Sequence, residues 1–407
     1  MVERRVPRWR DLQPLLRFRK LEPNATRRRL EQAYTIEHLR RIAKRRTPNG
    51  PFDYTDGAAE AEVSLNRARS VFRRLQFNPG VLRDVSDVDP STTMLGQRSS
   101  YPFALAPTGF TRMMQHEGEN AVARVAERAG IPYALSTMGT TSIEEVADAA
   151  PDADRWFQLY IWNDRDAGED LVRRADAAGY GTLVLTVDVP VAGKRIRDSV
   201  NGLTIPPTLT LKTFLDMGLH PAWWANLLTT RPLTFASFSD WPGTVGELID
   251  QLFSPKVTFD DLVWLRELWP GKLIVKGVQN VADAQRLVDL GMDGIVLSNH
   301  GGRQLDRAPV PLLLLPSVVE AVGDRTEVYI DTGVLNGADI VAGVALGARG
   351  VLVGRAYLYG LMAGGERGVE KAVEILSGEV KRTMQLLGVR SVAELDPSHV
   401  TLPSDPF

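Results

Sequence analysis

The stretch IVLSNHGGRQLD, residues 295–306, joins a strand pattern to a cluster of chemically active side chains. Its apolar start is typical of a buried strand, and the polar and glycine residues that follow predict a turn. The turn places His300, Arg303 and Gln304 together. A histidine can accept a proton, and an arginine can bind a carboxylate through two N–H groups. The stretch predicts a site that oxidises a small acid; the alternative is a structural loop.

Similar short apolar runs recur along the chain, and each is followed by enough residues for a helix. Eight such strands with intervening helices predict a closed (β/α)8 TIM barrel. The alternative is an open doubly wound sheet, but no GxGxxG motif opens a helix after the first strand. The predicted strands lie near residues 103–107, 133–137, 156–160, 182–187, 273–277, 294–298, 327–331 and 350–354.

The composition limits the chemistry that the chain can perform. Its 407 residues are 44% hydrophobic and 24% charged, which is enough for a large core, either as one barrel with extensions or as two domains. The chain has no cysteine, which excludes disulfides, thiolate nucleophiles and cysteine-bound metals. We expect no metal site, so any redox chemistry requires a bound cofactor.

Positive charge is concentrated at the N-terminus. Residues 1–46 hold 15 Lys or Arg against 5 Asp or Glu, a balance of +10, and the whole chain carries −2, so the remainder carries −12. Anionic lipid, nucleic acid, the body of the same chain or a neighbouring subunit could bind such a segment. We favour the protein's own body or a subunit and expect no nucleic-acid partner.

The N-terminal residues predict an arm that leads into a helix. Residues 1–34 show poor periodicity and predict an extended basic arm, and Thr35 is the expected N-cap of a helix that ends near Arg46. No apolar run is long enough to cross a bilayer, and no apolar segment follows the first arginines, so we expect no secretory signal and a cytoplasmic location. The predicted domain covers residues 35–400, followed by a tail at 401–407.

Polar residues at the predicted strand exits are candidate ligands, because barrel active sites lie at the C-terminal strand ends. Thr108 follows the first strand and Ser136 ends the second, although a serine there could also cap the next helix. Gln158 and Tyr160 alternate on one face of the third strand, so they point the same way.

Thr186 and Asp188 share one face of the fourth strand in the same manner. An aspartate between valines requires a partner, and His300 is the obvious one. Asp188 would then fix the histidine tautomer and stabilise the imidazolium. Arg195 adds positive charge nearby.

The residues after the last two predicted strands are typical of a phosphate-binding site. Asp331 and Gly333 follow the seventh strand, and Gly354 and Arg355 follow the eighth. Backbone N–H groups at these two exits form the usual phosphate site of a barrel, and Arg355 supplies charge.

A long segment, residues 197–260, interrupts the repeat and is rich in aromatic residues. Segments of this length are usually lids, binding surfaces or disordered. Its aromatic side chains could pack on the barrel, or contact a membrane or another subunit. They are Trp223, Trp224, Phe235, Phe238, Trp241 and Phe253.

The motif SNHGGRQ, residues 298–304, resembles the signature of the FMN-dependent α-hydroxy-acid oxidising family, which includes oxidases and flavin L-lactate dehydrogenases. The similarity extends over roughly residues 35–400. It implies FMN as cofactor, His300 as base with Asp188 as its partner, and a substrate bound by Tyr54, Tyr160, Arg195 and Arg303. On sequence alone Tyr54 is more typical of a packing residue. The implied FMN-binding residues are Ser136, Gln158, Thr186, Lys276, Ser298, Asp331, Gly333, Gly354 and Arg355, to which we add Thr108.

Lys276 ends the fifth strand inside an apolar run. A buried ammonium needs an electronegative partner, and a reduced flavin carries negative charge near N1 and C2=O. A structural salt bridge is the alternative.

Three positions depart from the family pattern. Leu335 stands where many members have a second arginine, so phosphate binding would depend on Arg355 and the backbone. Met138 stands where glycolate oxidase has tryptophan, and this changes the substrate pocket. Gly109 stands where oxygen-using members commonly have alanine.

Together these features predict a flavoenzyme that oxidises a small L-2-hydroxy acid, L-lactate in the first instance, and passes electrons to a quinone or similar acceptor. The alternatives are an oxidase that yields peroxide, a related enzyme for modified peptides, and a flavin redox sensor without turnover. The intact set of His300, Asp188 and Arg303 argues against the sensor. We also expect a homo-oligomer, a tetramer, and peripheral contact with the inner face of the membrane.

Overall fold

Eight short apolar runs form the strands of a closed parallel barrel in the computed structural model, which describes residues 4–16, 22–161, 165–202, 211–238, 255–405 and 407. Every predicted strand is present within two residues of its expected bounds, which confirms the TIM barrel. The strands are β1 (Gln76–Phe77), β2 (Thr92–Met94), β3 (Gln97–Ser99), β4 (Phe103–Leu105), β5 (Tyr133–Ser136), β6 (Arg155–Leu159), β7 (Thr182–Thr186), β8 (Lys272–Val278), β9 (Gly294–Leu297), β10 (Glu327–Ile330), β11 (Gly350–Val353) and β12 (Val400–Thr401).

The barrel runs in the order β4 to β11 and closes between β11 and β4. Its strands are buried almost throughout, as expected where helices cover the outer face and side chains fill the interior. Trp156 and Tyr329 meet edge to face inside the barrel, with ring centroids 6.0 Å apart. The hairpin β2–β3 contributes buried Met94 to the same interior cluster. The N-terminal half of the barrel is therefore packed, and the opposite end is left for a ligand.

Helices form the outer layer of the barrel and its extensions. Residue Thr35 caps α3 as predicted, because its Oγ1 accepts the N–H of His38 at 3.2 Å. The helices are α1 (Trp9–Leu12), α2 (Ala25–Leu30), α3 (Ile36–Arg46), α4 (Asn49–Asp56), α5 (Val63–Arg74), α6 (Thr111–Met114), α7 (Gly118–Ala129), α8 (Ile143–Ala149), α9 (Arg165–Ala177), α10 (Ile196–Val200), α11 (Leu211–Gly218), α12 (Pro221–Leu228), α13 (Phe259–Leu268), α14 (Val281–Asp289), α15 (Pro311–Val322), α16 (Gly337–Ala345), α17 (Arg355–Gly364) and α18 (Glu366–Leu387).

The chain termini are more ordered than the sequence suggests. The prediction of an extended arm is wrong for α2, which Asn24 caps and whose Leu30 is buried in the main core. The predicted tail is also partly wrong, because Thr401 belongs to β12 and pairs with Gln76 of β1. Poor periodicity hid both elements, since each is held by contacts distant in sequence.

Between β7 and α13, the described residues form α10, α11, α12 and a short 3₁₀ turn, Ala236–Phe238. Part of it packs on the barrel: the indole N–H of Trp223 donates to Met113 O at 3.0 Å, and buried Phe235 lies 4.4 Å from Phe110 between ring centroids. Trp224 is exposed. The predictions for Trp241, Phe253 and the Phe238 side chain lie outside the described residues.

Candidate active site

A cavity of about 710 Å³ opens at the C-terminal end of the barrel strands. This volume is within the range of small-molecule and cofactor sites. Most of the side chains chosen from sequence line it, contributed by α4, the strand exits and the loop after β9. They are Tyr54, Thr108, Ser136, Gln158, Tyr160, Thr186, Arg195, Lys276, His300, Arg303, Asp331, Gly333, Gly354 and Arg355.

Asp188 lies behind the cavity wall and contacts His300. Its Oδ1 is 3.0 Å from Nδ1 of His300, and its side chain is 1% exposed. This close packing needs a glycine at position 277, where φ is +108° and a β-carbon would lie 2.8 Å from Cβ of Asp188. The predicted contact between Asp188 and His300 is therefore present.

The electrostatics of this pair keep the histidine neutral and the aspartate ionised. Burial lowers the pKa of His300 below its usual value, although Asp188 opposes the shift. Burial raises the pKa of Asp188, but the adjacent His300 ring, which donates a hydrogen bond, and the Lys276 ammonium outweigh burial and hold that pKa below its usual range. A neutral imidazole oriented by a carboxylate is suited to accept a proton.

The loop that carries His300 is held in an unusual backbone conformation. His300 has φ of +59°, and Thr332 beside it has φ of +71°, which is rare for a β-branched residue. Asn299 Oδ1 accepts from the N–H of Gly302 and from the hydroxyl of Thr332, both at 2.9 Å. Thr332 in turn accepts the N–H of Gly301 at 3.1 Å. Sequence reasoning missed Asn299 and Thr332, because a supporting network between two loops leaves no local pattern.

Lys276 is buried with a matched set of partners. Its Nζ lies 3.3 Å from Oδ2 of Asp331 and donates to Ser298 Oγ at 3.0 Å. Burial lowers the pKa of Lys276, but Asp331 and Asp188 outweigh this and raise it, so the ammonium stays charged. Lys276 therefore forms the structural salt bridge that was the alternative, and it also places a positive charge on the cavity wall.

Ser298, predicted from sequence as a cofactor ligand, lies between Lys276 and the loop that carries His300. It is fully buried behind the cavity wall, where it donates to Asp331 at 2.9 Å and accepts the backbone N–H of His300 at 3.0 Å. This placement makes Ser298 a link between the lysine and the histidine loop, and its assignment as a cofactor ligand stays a prediction.

Two guanidinium groups surround Tyr54. The Arg303 guanidinium carbon lies 4.5 Å and that of Arg195 lies 5.5 Å from the centre of its ring. Burial, with Arg195 nearby, lowers the pKa of Arg303 to about 10. Arg303 also donates to Tyr54 O, and Tyr160 completes this wall. Positive charge concentrated in a buried site favours an anionic ligand such as a carboxylate.

Gln304 connects the two halves of this wall. Its Nε2 donates to Asp188 O at 3.1 Å and Val191 O at 2.9 Å, and its Oε1 accepts the N–H of Gly193 at 3.0 Å. These bonds hold the segment after β7 against the loop after β9. The sequence placed Gln304 beside His300 but gave it no such role.

On the barrel strands, two buried polar atoms at the cavity wall have no hydrogen-bond partner among the described residues. They are Nε2 of Gln158 and Oγ1 of Thr186. Gln158 Oε1 accepts from Ser136 Oγ at 2.9 Å, which directs its amide nitrogen elsewhere. Buried polar groups are normally paired, so these atoms fit a ligand with an amide-like polar edge, as a flavin has. The residues present therefore fit the implied FMN.

The opposite side of the cavity is close-packed. A β-carbon at Gly109 would lie 2.9 Å from Cβ of Met138, so this position has no space for a larger residue. Thr108 Oγ1 lies 2.5 Å from the hydroxyl of Tyr357, which places the threonine at the wall but already bonded. Met138 itself is partly buried and lines the cavity.

Arg355 is anchored more firmly than expected. Its guanidinium donates to Thr55 O, Gly301 O and Gly57 O at 2.9, 2.9 and 2.7 Å. These bonds join α4, the His300 loop and the start of α17. Because these donors are already used, Arg355 would attract a phosphate mainly through its charge. The backbone N–H groups at the start of α17 would supply the hydrogen bonds, since no side chain of the N-cap residue Gly354 occupies them.

Comparison with known proteins gives one consistent result. A family profile described as FMN-dependent dehydrogenase matches residues 43–402. A Mycobacterium tuberculosis protein, whose name provisionally assigns it L-lactate dehydrogenase activity, is 59% identical over 98% of this chain and 97% of its own. The L-lactate dehydrogenase of Caulobacter vibrioides is 43% identical over 88% of this chain and 95% of its own.

A solved structure agrees with these sequence matches. The monotopic membrane protein (S)-mandelate dehydrogenase superposes with a TM-score of 0.88 at 39% identity, over 91% of this chain and all of that one.

Proposed function

Because this chain belongs to the FMN-dependent dehydrogenase family, we propose that it oxidises L-lactate to pyruvate. The observation that carries the proposal is the His300–Asp188 pair next to two partly buried guanidinium groups, Arg195 and Arg303, at one cavity. The named activities of the M. tuberculosis and Caulobacter relatives support lactate as the acid.

The substrate end of the cavity supplies a clamp and a base. Arg303 and Arg195 bind the carboxylate, and the Tyr54 ring between them excludes water from that side. His300 accepts the proton that the substrate loses, and Asp188 stabilises the resulting imidazolium. Oxidation of lactate to pyruvate removes two protons and two electrons; His300 takes one proton, and FMN, when bound, would accept the electron pair together with the other proton.

The cofactor end is formed by neutral polar groups and one cation. The free amide nitrogen of Gln158 and hydroxyl of Thr186 would bind the polar edge of the flavin ring, and Lys276 places a positive charge beside it. Gly333 and the N-terminus of α17 would receive the phosphate.

Anaerobic reduction tests this proposal. The purified protein with bound flavin is mixed with L-lactate, D-lactate, glycolate and (S)-mandelate without oxygen, and the absorbance of oxidised flavin is followed. We expect rapid bleaching by L-lactate and none by D-lactate. Faster bleaching by (S)-mandelate than by L-lactate would contradict the lactate assignment and favour the substrate named in the structural neighbour.

We also propose that α11 and α12 contact the membrane surface. Their outward apolar side chains are strongly exposed: Phe214 by 67%, Leu215 by 61% and Leu228 by 68%. Leu219, between the two helices, is exposed by 79%. Isolated apolar residues are common on surfaces, but a cluster on amphipathic helices is typical of interfacial binding. No helix among the described residues is long and apolar enough to span a bilayer. The structural neighbour's description as monotopic supports this proposal.

Sedimentation with vesicles that contain anionic lipid tests the membrane contact. The double variant Phe214→Ser, Leu215→Ser should bind less than the wild type, whereas Leu386→Ser, at another exposed apolar site, should bind equally. Equal sedimentation of the double variant and the wild type would contradict the proposal.

For the electron acceptor we propose a quinone rather than oxygen. Contact with the membrane would place the reduced enzyme next to lipid-soluble acceptors. Stopped-flow mixing of lactate-reduced enzyme with a soluble quinone analogue should reoxidise the flavin quickly, and air-saturated buffer should do so slowly. Fast reoxidation by oxygen with stoichiometric peroxide would instead make the protein an oxidase.

A further inference from the structure

Helix α5 packs directly on the loop that follows β10, at the end of the cavity assigned to the phosphate. Gly333 in this loop has φ of +90°, and a β-carbon there would lie 3.0 Å from Ala68 Cβ and 3.2 Å from the ring of Phe72. Only glycine combines this backbone conformation with such close approach. The contact brings the next residue of α5 facing the cavity, Arg69, beside the loop.

Arg69 is a buried cation with unused donors. Its side chain is 15% exposed, and its Nη1 donates to Gly333 O and to Asp339 Oδ2, the latter at 2.8 Å. Its Nε is buried and has no hydrogen-bond partner among the described residues. One edge of the guanidinium is therefore fixed, and another donor lacks a partner at the cavity wall.

Several other cations that line the cavity are committed elsewhere. Arg355 donates to three backbone carbonyls, and Arg40 and Arg197 both pair with Asp56, at 2.5 and 3.1 Å. Arg73 lines the cavity but is exposed, so water screens its charge.

The loop itself, residues 331–336, supplies no cation. Leu335 and Val334 line the cavity immediately after Gly333, and both are apolar. A phosphate dianion at this position would require a cation from a neighbouring element, and α5 is the element in contact.

We propose that Arg69 binds the terminal phosphate of FMN, with Asp339 holding the guanidinium in place through Nη1. The inference rests on the assignment of FMN as the cofactor. Asp339 is itself fixed, because its Oδ2 accepts the N–H of Leu335 at 2.9 Å at the start of α16. The free edge of the guanidinium supplies charge-assisted hydrogen bonds to phosphate oxygens. Arg69 thus provides the cation that the loop after β10 lacks.

Parallel titrations with FMN and riboflavin isolate the phosphate contact. The full chain is depleted of flavin, and binding is followed by the quenching of flavin fluorescence. Arg69→Met should weaken FMN on the order of 10- to 100-fold, the loss expected for one or two hydrogen bonds to a charged group. Riboflavin, which lacks the phosphate, should bind Arg69→Met and the wild type equally. Arg74→Met, on the same helix but outside the cavity, should leave both affinities unchanged.

The riboflavin measurement also reports whether the pocket is folded. If Arg69→Met does not fold, Arg69→Lys keeps a cation beside Asp339 but loses the planar fork, and should show a smaller loss confined to FMN. Equal FMN affinity in the wild type and both variants, or equal losses for FMN and riboflavin, would overturn the phosphate role. A wild type that binds neither flavin would contradict the family-based cofactor instead, so the two failures are distinguishable.

Discussion

Nδ1 of His300 lies 3.0 Å from Oδ1 of Asp188, although the two residues are separated by 112 positions in the chain. The exits of β7 and β9 bring them together, and Gly277 in the intervening strand makes room. The contact assigns Nδ1 as the hydrogen-bond donor and leaves the other nitrogen to the substrate.

Removal of the imidazole should abolish turnover without loss of the cofactor. His300→Ala is expected to retain FMN and to lower kcat by roughly 10²–10⁴-fold, the usual contribution of a general base. The flavin spectrum of the purified variant and its rate of reduction by L-lactate provide the measurement. A near wild-type reduction rate would remove His300 from the chemistry.

At acidic pH, the decline of kcat/KM should follow the protonation of His300. Its pKa lies below the usual value of 6.5 because of burial, so the neutral, active form persists as the pH falls below 6.5. The kcat/KM for L-lactate should therefore be flat at neutral pH and decline only in more acidic buffer. In Asp188→Asn the decline should move to still lower pH, since Asp188 raises the pKa of His300. A shift to higher pH in this variant would contradict the pairing.

The planar geometry of the Arg303 guanidinium should matter for substrate binding as well as its charge. Arg303→Lys is expected to raise KM and lower kcat for L-lactate, because lysine cannot donate two parallel hydrogen bonds to a carboxylate. A loss of about 1.5–3 kcal/mol in transition-state binding corresponds to a fall in kcat/KM of about 10- to 100-fold. Arg307→Lys, an exposed position on the same loop, serves as the control. An unchanged kcat/KM in Arg303→Lys would place Arg303 outside the substrate site.

The eight barrel strands and the polar residues at their exits could be predicted from sequence because each leaves a local signal, whereas the choice of Tyr54 depended on the family resemblance. A strand is an apolar run, and a residue at its exit must face the open end of the barrel. Asp188 and His300 could be paired because a charged residue inside an apolar run needs a partner.

Residues whose roles depend on packing between distant elements left no such signal. Arg69 reaches the cavity only because α5 rests on Gly333, and the hydrogen bond between Ser298 and Lys276 joins two different strand exits. The helix α2 and the pairing of β12 with β1 likewise depend on contacts distant in sequence. Homo-oligomer formation stays a prediction, because it requires a second copy of the chain.

At the opposite end of the barrel, the carboxyl of Asp154 is largely buried and has few partners that stabilise its negative charge. Burial raises its pKa from 3.8 to about 6, although Trp156 donates to its Oδ1 at 3.1 Å. A folded-state pKa above the unfolded value means that protonation favours the folded state. The associated stability is fully present below pH 3.8 and is lost as the pH rises through about 6.

Asp154→Asn should therefore stabilise the protein above pH 6 and have little effect near pH 4. Asparagine can still accept from Trp156 through Oδ1, so the variant removes only the charge. A shift of about two pKa units sets an upper limit of ~3 kcal/mol on the gain. Thermal unfolding at pH 4 and pH 7.5 provides the measurement, with Asp152→Asn, an exposed neighbouring carboxyl, as the control. A gain of equal size at both pH values would show that packing, not the charge of Asp154, causes the effect.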